Sequence, residues 1–260
     1  MLKGKNAIIT GSTSGIGLAI ATELAKKGVN IVINGFGNQQ EIDNIISNLS
    51  QANKIQAYYH NANLANKAEI EKLIEYTIDK LGSIDILVNN AGIQYVAPIE
   101  EFPDDKWEDI ININLSASFY TIKRSLKYMK QNNFGRIINI ASAHGLVAST
   151  HKAAYVAAKH GIVGLSKVVA LETAQDNITC NTICPGWVFT PLVEKQIHQK
   201  MQDKSLTFNQ ASKELLAEKQ PSLQFTSPED IGELVVFLSS DAAKNIKGAN
   251  FSIDGGWTAQ

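Results

Sequence analysis

Cysteine is nearly absent: Cys180 and Cys184 are the only two in 260 residues. Two thiols without further Cys or His ligands do not make a zinc set, so no metal is expected. They read as buried thiols, because free Cys packs as a small hydrophobe, and they suit a reducing, cytoplasmic compartment. An excess of one charge is lacking too, with 24 Lys and Arg against 25 Asp and Glu. A net charge of −1 offers no global field to nucleic acid or to an anionic membrane, and neither is expected as a partner. No apolar run approaches the ~18 residues that suggest a membrane span. The stretch "MLKGKNAIITGS" has too short an apolar run for a secretory signal and no small-residue cleavage site.

What is present is a rhythm. Short runs rich in β-branched residues read as strands: "NAIIT" (6–10), "NIVI" (30–33), "IQAYY" (55–59), "IDILV" (84–88), "GRIINI" (135–140), "ITCNTI" (178–183) and "NFSI" (250–253). Between them lie "GIGLAIATELAKKG", "NKAEIEKLIEYTIDKLG", "WEDIININLSASFYTIKRSLKYMKQ" and "AAYVAAKHGIVGLSKVVALETA". Their apolar residues recur at three and four, the period of a helix. Strands without polar alternation suit a parallel sheet covered on both faces. The expected fold is α/β, a single doubly wound Rossmann-type parallel sheet with helices on both faces, as one domain over 1–260.

Residues 190–227 break the rhythm with two amphipathic helical stretches, the first carrying Leu192, Val193, Ile197 and Met201 on one side. An excursion of this length inside a compact domain reads as a helical lid insertion near 190–226, with an oligomer contact or surface decoration as the alternative.

"TGSTSGIG" (10–17) joins the first strand to the first helix. Gly11, Gly15 and Gly17 permit a tight turn, close backbone approach and close helix–strand packing, and the helix N-terminus behind them offers free N–H groups to a pyrophosphate. Strand–turn–helix is the context a dinucleotide requires. The spacing, G-x-x-x-G-x-G, is not that of the ordinary dinucleotide turn. With "NNAG" (89–92), Asn114, Ser142, Tyr155-x-x-x-Lys159, "PG" (185–186) and "DGG" (254–256) following in order, the chain resembles the short-chain dehydrogenase/reductase family over nearly its whole length.

The resemblance implies a nicotinamide dinucleotide held by Gly11, Thr13, Ser14, Gly15, Ile16, Gly17, Phe36, Asn63, Leu64, Asn90, Ala91, Gly92, Tyr155, Lys159, Pro185, Gly186, Val188 and Thr190. Two positions depart from common relatives. Asn63 stands where Asp is usual, and its carbonyl oxygen still accepts a hydrogen bond from an adenine amino group. The end of the second strand, "INGFG" (33–37), carries neither an acid to bond a ribose diol nor a base to pair a 2′-phosphate. With nothing to neutralise a phosphate dianion, NAD is expected rather than NADP.

Hydride chemistry needs a base for the alcohol proton, and a free Tyr, with a pKa near 10, needs help. Tyr155 and Lys159 are four apart on one helical face, and a nearby ammonium favours phenolate. Ser142, at the end of the fifth strand, is positioned to hydrogen-bond the substrate oxygen. The resemblance adds Asn114 as a fourth catalytic member that supports a water-linked proton path to the lysine, and gives Lys159 the nicotinamide ribose.

Around this set, His144 and Lys152 are two potential donors beside the reacting alcohol and suggest a carboxylate. His160 points about 100° away from Lys159 and reads as structural. "NNAGIQ", "SAHG", "HKAAYVAAKHG", "CPGWVFTPLVEKQI" and "DGGWTAQ" resemble the branch of the family that acts on small D-3-hydroxy acids. That resemblance implies that Gln94, Ser142, His144, Lys152, Tyr155 and Gln196 surround the substrate, with Trp187 against its methyl end; Trp257, near the C-terminus where the family's subunits often meet, is also expected to bind substrate. The expected reaction is reversible hydride transfer between (R)-3-hydroxybutyrate and NAD, giving acetoacetate and NADH in a homotetramer. The alternatives are an NADPH-dependent reductase of carrier-bound 3-oxoacyl groups or another carbonyl compound, and, more remotely, a non-catalytic NAD sensor on the same fold.

Overall fold

The computed structural model describes residues 2–259; Met1 and Gln260, the outer ends of two stretches quoted above, lie outside them. Seven parallel strands form one sheet in the order β3-β2-β1-β4-β5-β6-β7. They are β1 (Asn6–Ile9), β2 (Asn30–Asn34), β3 (Ala57–His60), β4 (Ile86–Asn89), β5 (Gly135–Ile140), β6 (Ile178–Pro185) and β7 (Asn250–Ile253). The helices are α1 (Gly15–Lys26), α2 (Gln39–Asn53), α3 (Lys67–Leu81), α4 (Asp104–Ile111), α5 (Ala117–Gln131), α6 (Ala153–Glu172), α7 (Pro191–Lys204), α8 (Phe208–Ala217) and α9 (Pro228–Ser239).

Alternation along the strands shows why the sheet is covered twice. Ala7, Ile9, Ile31, Ile33, Ile86, Val88, Ile138 and Ile140 face one layer with Leu24, Leu49 and Val235 of α1, α2 and α9. Their neighbours Ile8, Val32, Leu87, Ile137 and Cys180 face the other, with Leu73, Ile122 and Val169 of α3, α5 and α6. Both faces are buried, which is why these strands carry apolar side chains at successive positions. The strand order reverses between β1 and β4, and the loops beyond the carboxyl ends there open a crevice where such sheets bind ligands.

All seven expected strands form. The helix α2 is an addition: Ile42, Ile45, Ile46 and Leu49 keep the helical spacing, and Asn38 caps it by accepting from Gln40 N–H. The stretch expected as one helix from Trp107 is instead α4 and α5 joined by a π-helical turn, Asn112–Ser116. α6 is long and apolar enough to cross a membrane by length and composition. Here it is a core helix packed on β6, and it carries Tyr155 and Lys159.

The insertion is two helices, α7 and α8, closed on each other by Val193, Ile197, Ala211 and Leu215. Leu192 does not share that face: it is exposed and borders the cavity described next, because the first turn of α7 lies over the crevice. The chain leaves and returns at one point, where Phe189 N–H donates to Thr226 O and Thr226 N–H to Trp187 O.

Candidate active site

Loops at the carboxyl ends of β1, β4, β5 and β6 surround a cavity of about 510 Å³. Its base is a buried amide network. Asn89 Nδ2 donates to Asn139 Oδ1 across the β4–β5 pair, Thr121 Oγ1 donates to Asn89 Oδ1, and Asn139 Nδ2 donates to Ser166 Oγ. Each buried polar group finds its partner, so the strand ends are held rigidly. Thr10 Oγ1 then accepts from the N–H groups of Asn90 and Ala91, and Asn90 Nδ2 donates to the carbonyls of Thr10 and Gly11.

The glycine turn fits a dinucleotide by what it leaves out. A Cβ on Gly11 would lie 2.8 Å from Ala91 Cα, and one on Gly17 would lie 2.2 Å from Gly11 O. No side chain caps the N-terminus of α1, so its N–H groups remain for an anion. Thr13, Ser14 and Ile16 complete this turn, and Gly15 faces Thr190, which caps α7 by accepting from Val193 N–H. Ile16, Asn90, Gly92, Pro185, Gly186, Val188 and Thr190 line the cavity. Phe36, Asn63 and Leu64 lie beyond it, after β2 and β3, along the same edge of the sheet.

Two details there refine the expectations. Thr13 Oγ1 donates to Phe36 O, and a Cβ on Gly35 would meet that hydroxyl oxygen at 2.7 Å, so this β2 loop excludes any side chain, acidic or basic, at position 35. Phe36 is 68% exposed, so most of its surface is free for a ligand. Asn63 Oδ1 already accepts from Ala65 N–H, which leaves one lone pair for an adenine amino group.

At the reacting end, Lys159 Nζ donates to Ile140 O at 2.7 Å and lies 5.6 Å from the Tyr155 ring centre. Burial holds Lys159 down at about 8. Burial also raises the Tyr155 phenol, and a hydrogen bond with Ser142 opposes that rise. The helical pairing of Tyr155 with Lys159 is therefore as expected, but in the bare site desolvation outweighs any help to the phenolate.

Asn114 is buried and bonded to the loop that follows β4. Its Oδ1 accepts from Ile93 N–H at 2.8 Å and its Nδ2 donates to Ile93 O at 2.9 Å. The carboxamide thus fixes the loop that carries Gly92 and Gln94, beside Lys159. The π-helical turn aims it there.

The remaining expected residues meet in one place. Gln94, Ser142, His144, Lys152, Tyr155, Trp187, Gln196 and Trp257 all line the cavity. Ser142 caps a short turn by accepting from His144 N–H. His144 lies edge-on to Tyr155 and to Trp257, with centroids 5.9 and 5.0 Å away. Burial first, and Lys152 next, hold it down at about 4, so it is a neutral imidazole at pH 7. Its Nε2 is 2.9 Å from Ser149 Oγ, a partner outside the motifs that sequence reading did not single out. Trp187 stacks on Trp257 at 6.4 Å, and Lys152 Nζ stands 5.9 Å from the Trp187 ring. Asp254 accepts from Gly256 N–H, Thr258 N–H and Thr258 Oγ1, which folds the "DGGWT" turn that presents Trp257. His160 is exposed and bonds Val156 O, apart from the cavity.

A dinucleotide cradle, a Ser–Tyr–Lys set and a donor-lined end define a class. The short chain dehydrogenase family model matches residues 5–201, and the chain belongs to that family. Among curated proteins it is 55% identical over 260 residues, 100% of both chains, to D-beta-hydroxybutyrate dehydrogenase of Cupriavidus necator. It is 50% identical over 256 residues, 98% of this chain and 99% of the other, to D-beta-hydroxybutyrate dehydrogenase of Rhizobium meliloti. Among solved structures, L-sorbose reductase from Gluconobacter frateurii, complexed with NADPH and L-sorbose, superposes with a TM-score of 0.94 at 29% identity, over 99% of this chain and 98% of that one.

Proposed function

We propose that this chain oxidises (R)-3-hydroxybutyrate to acetoacetate, reversibly, with NAD as hydride acceptor. The observation that carries the reading is the convergence of Lys152, His144, Gln94 and Gln196 on one small cavity with Ser142 and Tyr155. One methylene separates the hydroxyl-bearing carbon from the carboxylate in the substrate, and this cavity has donors for both ends. The two relatives named above as D-beta-hydroxybutyrate dehydrogenases support the same substrate.

In this reading Ser142 Oγ donates to the substrate oxygen, and Tyr155 Oη takes the hydroxyl proton. A bound, oxidised nicotinamide would supply the acceptor for the hydride that leaves C3 of the substrate, and a positive charge that favours phenolate. Lys159, with one N–H on Ile140 O, has donors left for the ribose, and below pH 8 it carries the charge that favours phenolate. Neutral His144 keeps its ring for orientation rather than charge, which leaves Lys152 as the cation for the carboxylate. Trp187 and Trp257 bound the methyl end. Leu192 and Gln196 sit on the first turns of α7, so a lid at about 190–226 within a single domain closes the site against water.

NAD is supported by the β2 loop. Residues 33–37 contain no cation, and Gly35 has no room for one beside Thr13. The likeness to an NADPH-bound reductase does not extend a phosphate site to this loop. The proposal also includes a homotetramer, supported by exposed Phe119 on α5 and Val168 and Leu171 on α6. Two buried free thiols support a reducing, cytoplasmic setting.

Oxidation of NADH against NADPH, with acetoacetate and with a 3-oxoacyl thioester, tests this reading. The expected result is preference for NADH by about 100-fold or more in kcat/KM, and for the free acid over the thioester. Preference for NADPH and the thioester would replace it with the carrier-bound 3-oxoacyl reductase.

A further inference from the structure

We propose that Gln220 is a positioning residue that latches Trp187 of the substrate wall to the base of the helical insertion and to the C-terminal turn. The proposal rests on the substrate reading above for what Trp187 does, but not for the latch itself.

Gln220 lies three residues past α8 in the stretch Glu218–Ser222, whose other members are exposed, yet only 1% of its own surface is open. A carboxamide buried in this way must have its hydrogen bonds satisfied. Its Oε1 accepts from Trp187 N–H at 2.8 Å, and its Nε2 donates to Gln224 O. The orientation of the amide follows, since Trp187 N–H needs an acceptor and Gln224 O needs a donor. No single-function side chain can fill both roles.

The surroundings are cut to fit this amide. A Cβ on Gly186 would lie 2.5 Å from Gln220 Oε1, and one on Gly255 would lie 2.7 Å from its Cγ. The glycines of "PG" and "DGG" thus admit Gln220 between them. Ser222 N–H donates to Gly255 O at 3.0 Å, two residues before Trp257. Trp187 is then held at both of its backbone polar groups by the returning arm of the insertion: its N–H by Gln220, its carbonyl by Thr226 N–H at 3.0 Å. Its ring meets Trp257, and Trp257 meets His144. One buried amide therefore ties three chain segments, distant in sequence, to the wall facing Lys152. Displacement of such a wall by a fraction of an ångström degrades the alignment that hydride transfer requires.

The test uses the full-length enzyme with Q220A and Q220E, read against wild type by steady-state kinetics, NADH binding and melting. Q220A should raise KM for (R)-3-hydroxybutyrate by about tenfold or more, with NADH Kd within about twofold of wild type. Q220E should show the same defect at pH 8 and recover as pH falls to 6, because a buried carboxyl protonates there and regains the donor for Gln224 O. Wild-type KM should not follow that pH course. KM unchanged in both variants overturns the latch. So does a parallel loss of kcat, KM and NADH affinity that tracks a lower Tm. If Q220A does not fold, the pH course of Q220E decides alone. Wild type without turnover would instead remove the substrate reading. The latch is then judged by Trp187 emission in a W107F/W257F background, where Q220A should shift it to the red and an unchanged spectrum overturns the proposal.

Discussion

Tyr155→Phe should lower kcat/KM for (R)-3-hydroxybutyrate by about 10³-fold or more, while NADH binding stays within about twofold of wild type. The phenol lines the cavity within hydrogen-bond reach of Ser142, where the proposed reaction puts the substrate oxygen. Phe keeps the ring that packs edge-on against His144, so the wall of the site survives and only the proton acceptor is lost. Loss of positioned general base catalysis accounts for ~10²–10⁴-fold, and an unpaired substrate hydroxyl adds to it. Retention of more than about a tenth of wild-type activity would move the base to another residue.

Lys152→Ala should have the second largest effect, and its signature is different. Lys152 lines the cavity as the residue preceding α6, and burial lowers its pKa from the ordinary lysine range. A cation kept partly out of water is costly unless an anion arrives to meet it. Removing it deprives the substrate carboxylate of a charge-assisted hydrogen bond of about 2–3 kcal/mol, or roughly 30- to 150-fold in kcat/KM. NADH affinity should not change. Lys152→Ala should also narrow the preference for 3-hydroxybutyrate over a neutral secondary alcohol, because the neutral substrate never used that charge. Equal losses on both substrates would show that Lys152 shapes the wall rather than reading the carboxylate.

The sheet was legible because parallel strands buried on both faces write continuous apolar runs, and all seven of those runs became strands. The Tyr155–Lys159 pair was legible because its members lie one helical turn apart, and the dinucleotide turn because its glycines recur within one short stretch after a strand. α2 kept a helical period at Ile42, Ile45, Ile46 and Leu49, but Asp43, Asn44, Ser47 and Asn48 between them are weak helix formers and hid it. The π-helical turn at Asn112–Ser116 carries no local mark, since its reason is a side-chain bond to Ile93 some twenty residues upstream. The same holds for Ser149 on His144 and for Gln220 on Trp187, where a polar residue outside any motif completes a contact between distant segments. The depressed pKa of His144 is likewise a property of burial, and composition does not record it. Sequence patterns here located the groups that meet in the cavity, while three-dimensional contacts decided how each is held.

The most direct test of the account is NADH formation from NAD with (R)- and (S)-3-hydroxybutyrate supplied separately to the purified enzyme. Turnover of the (R) enantiomer, exceeding the (S) rate by about 100-fold or more, is the predicted result. No turnover of either enantiomer, with NADH still bound, would contradict the 3-hydroxybutyrate assignment and leave a short-chain dehydrogenase for another alcohol.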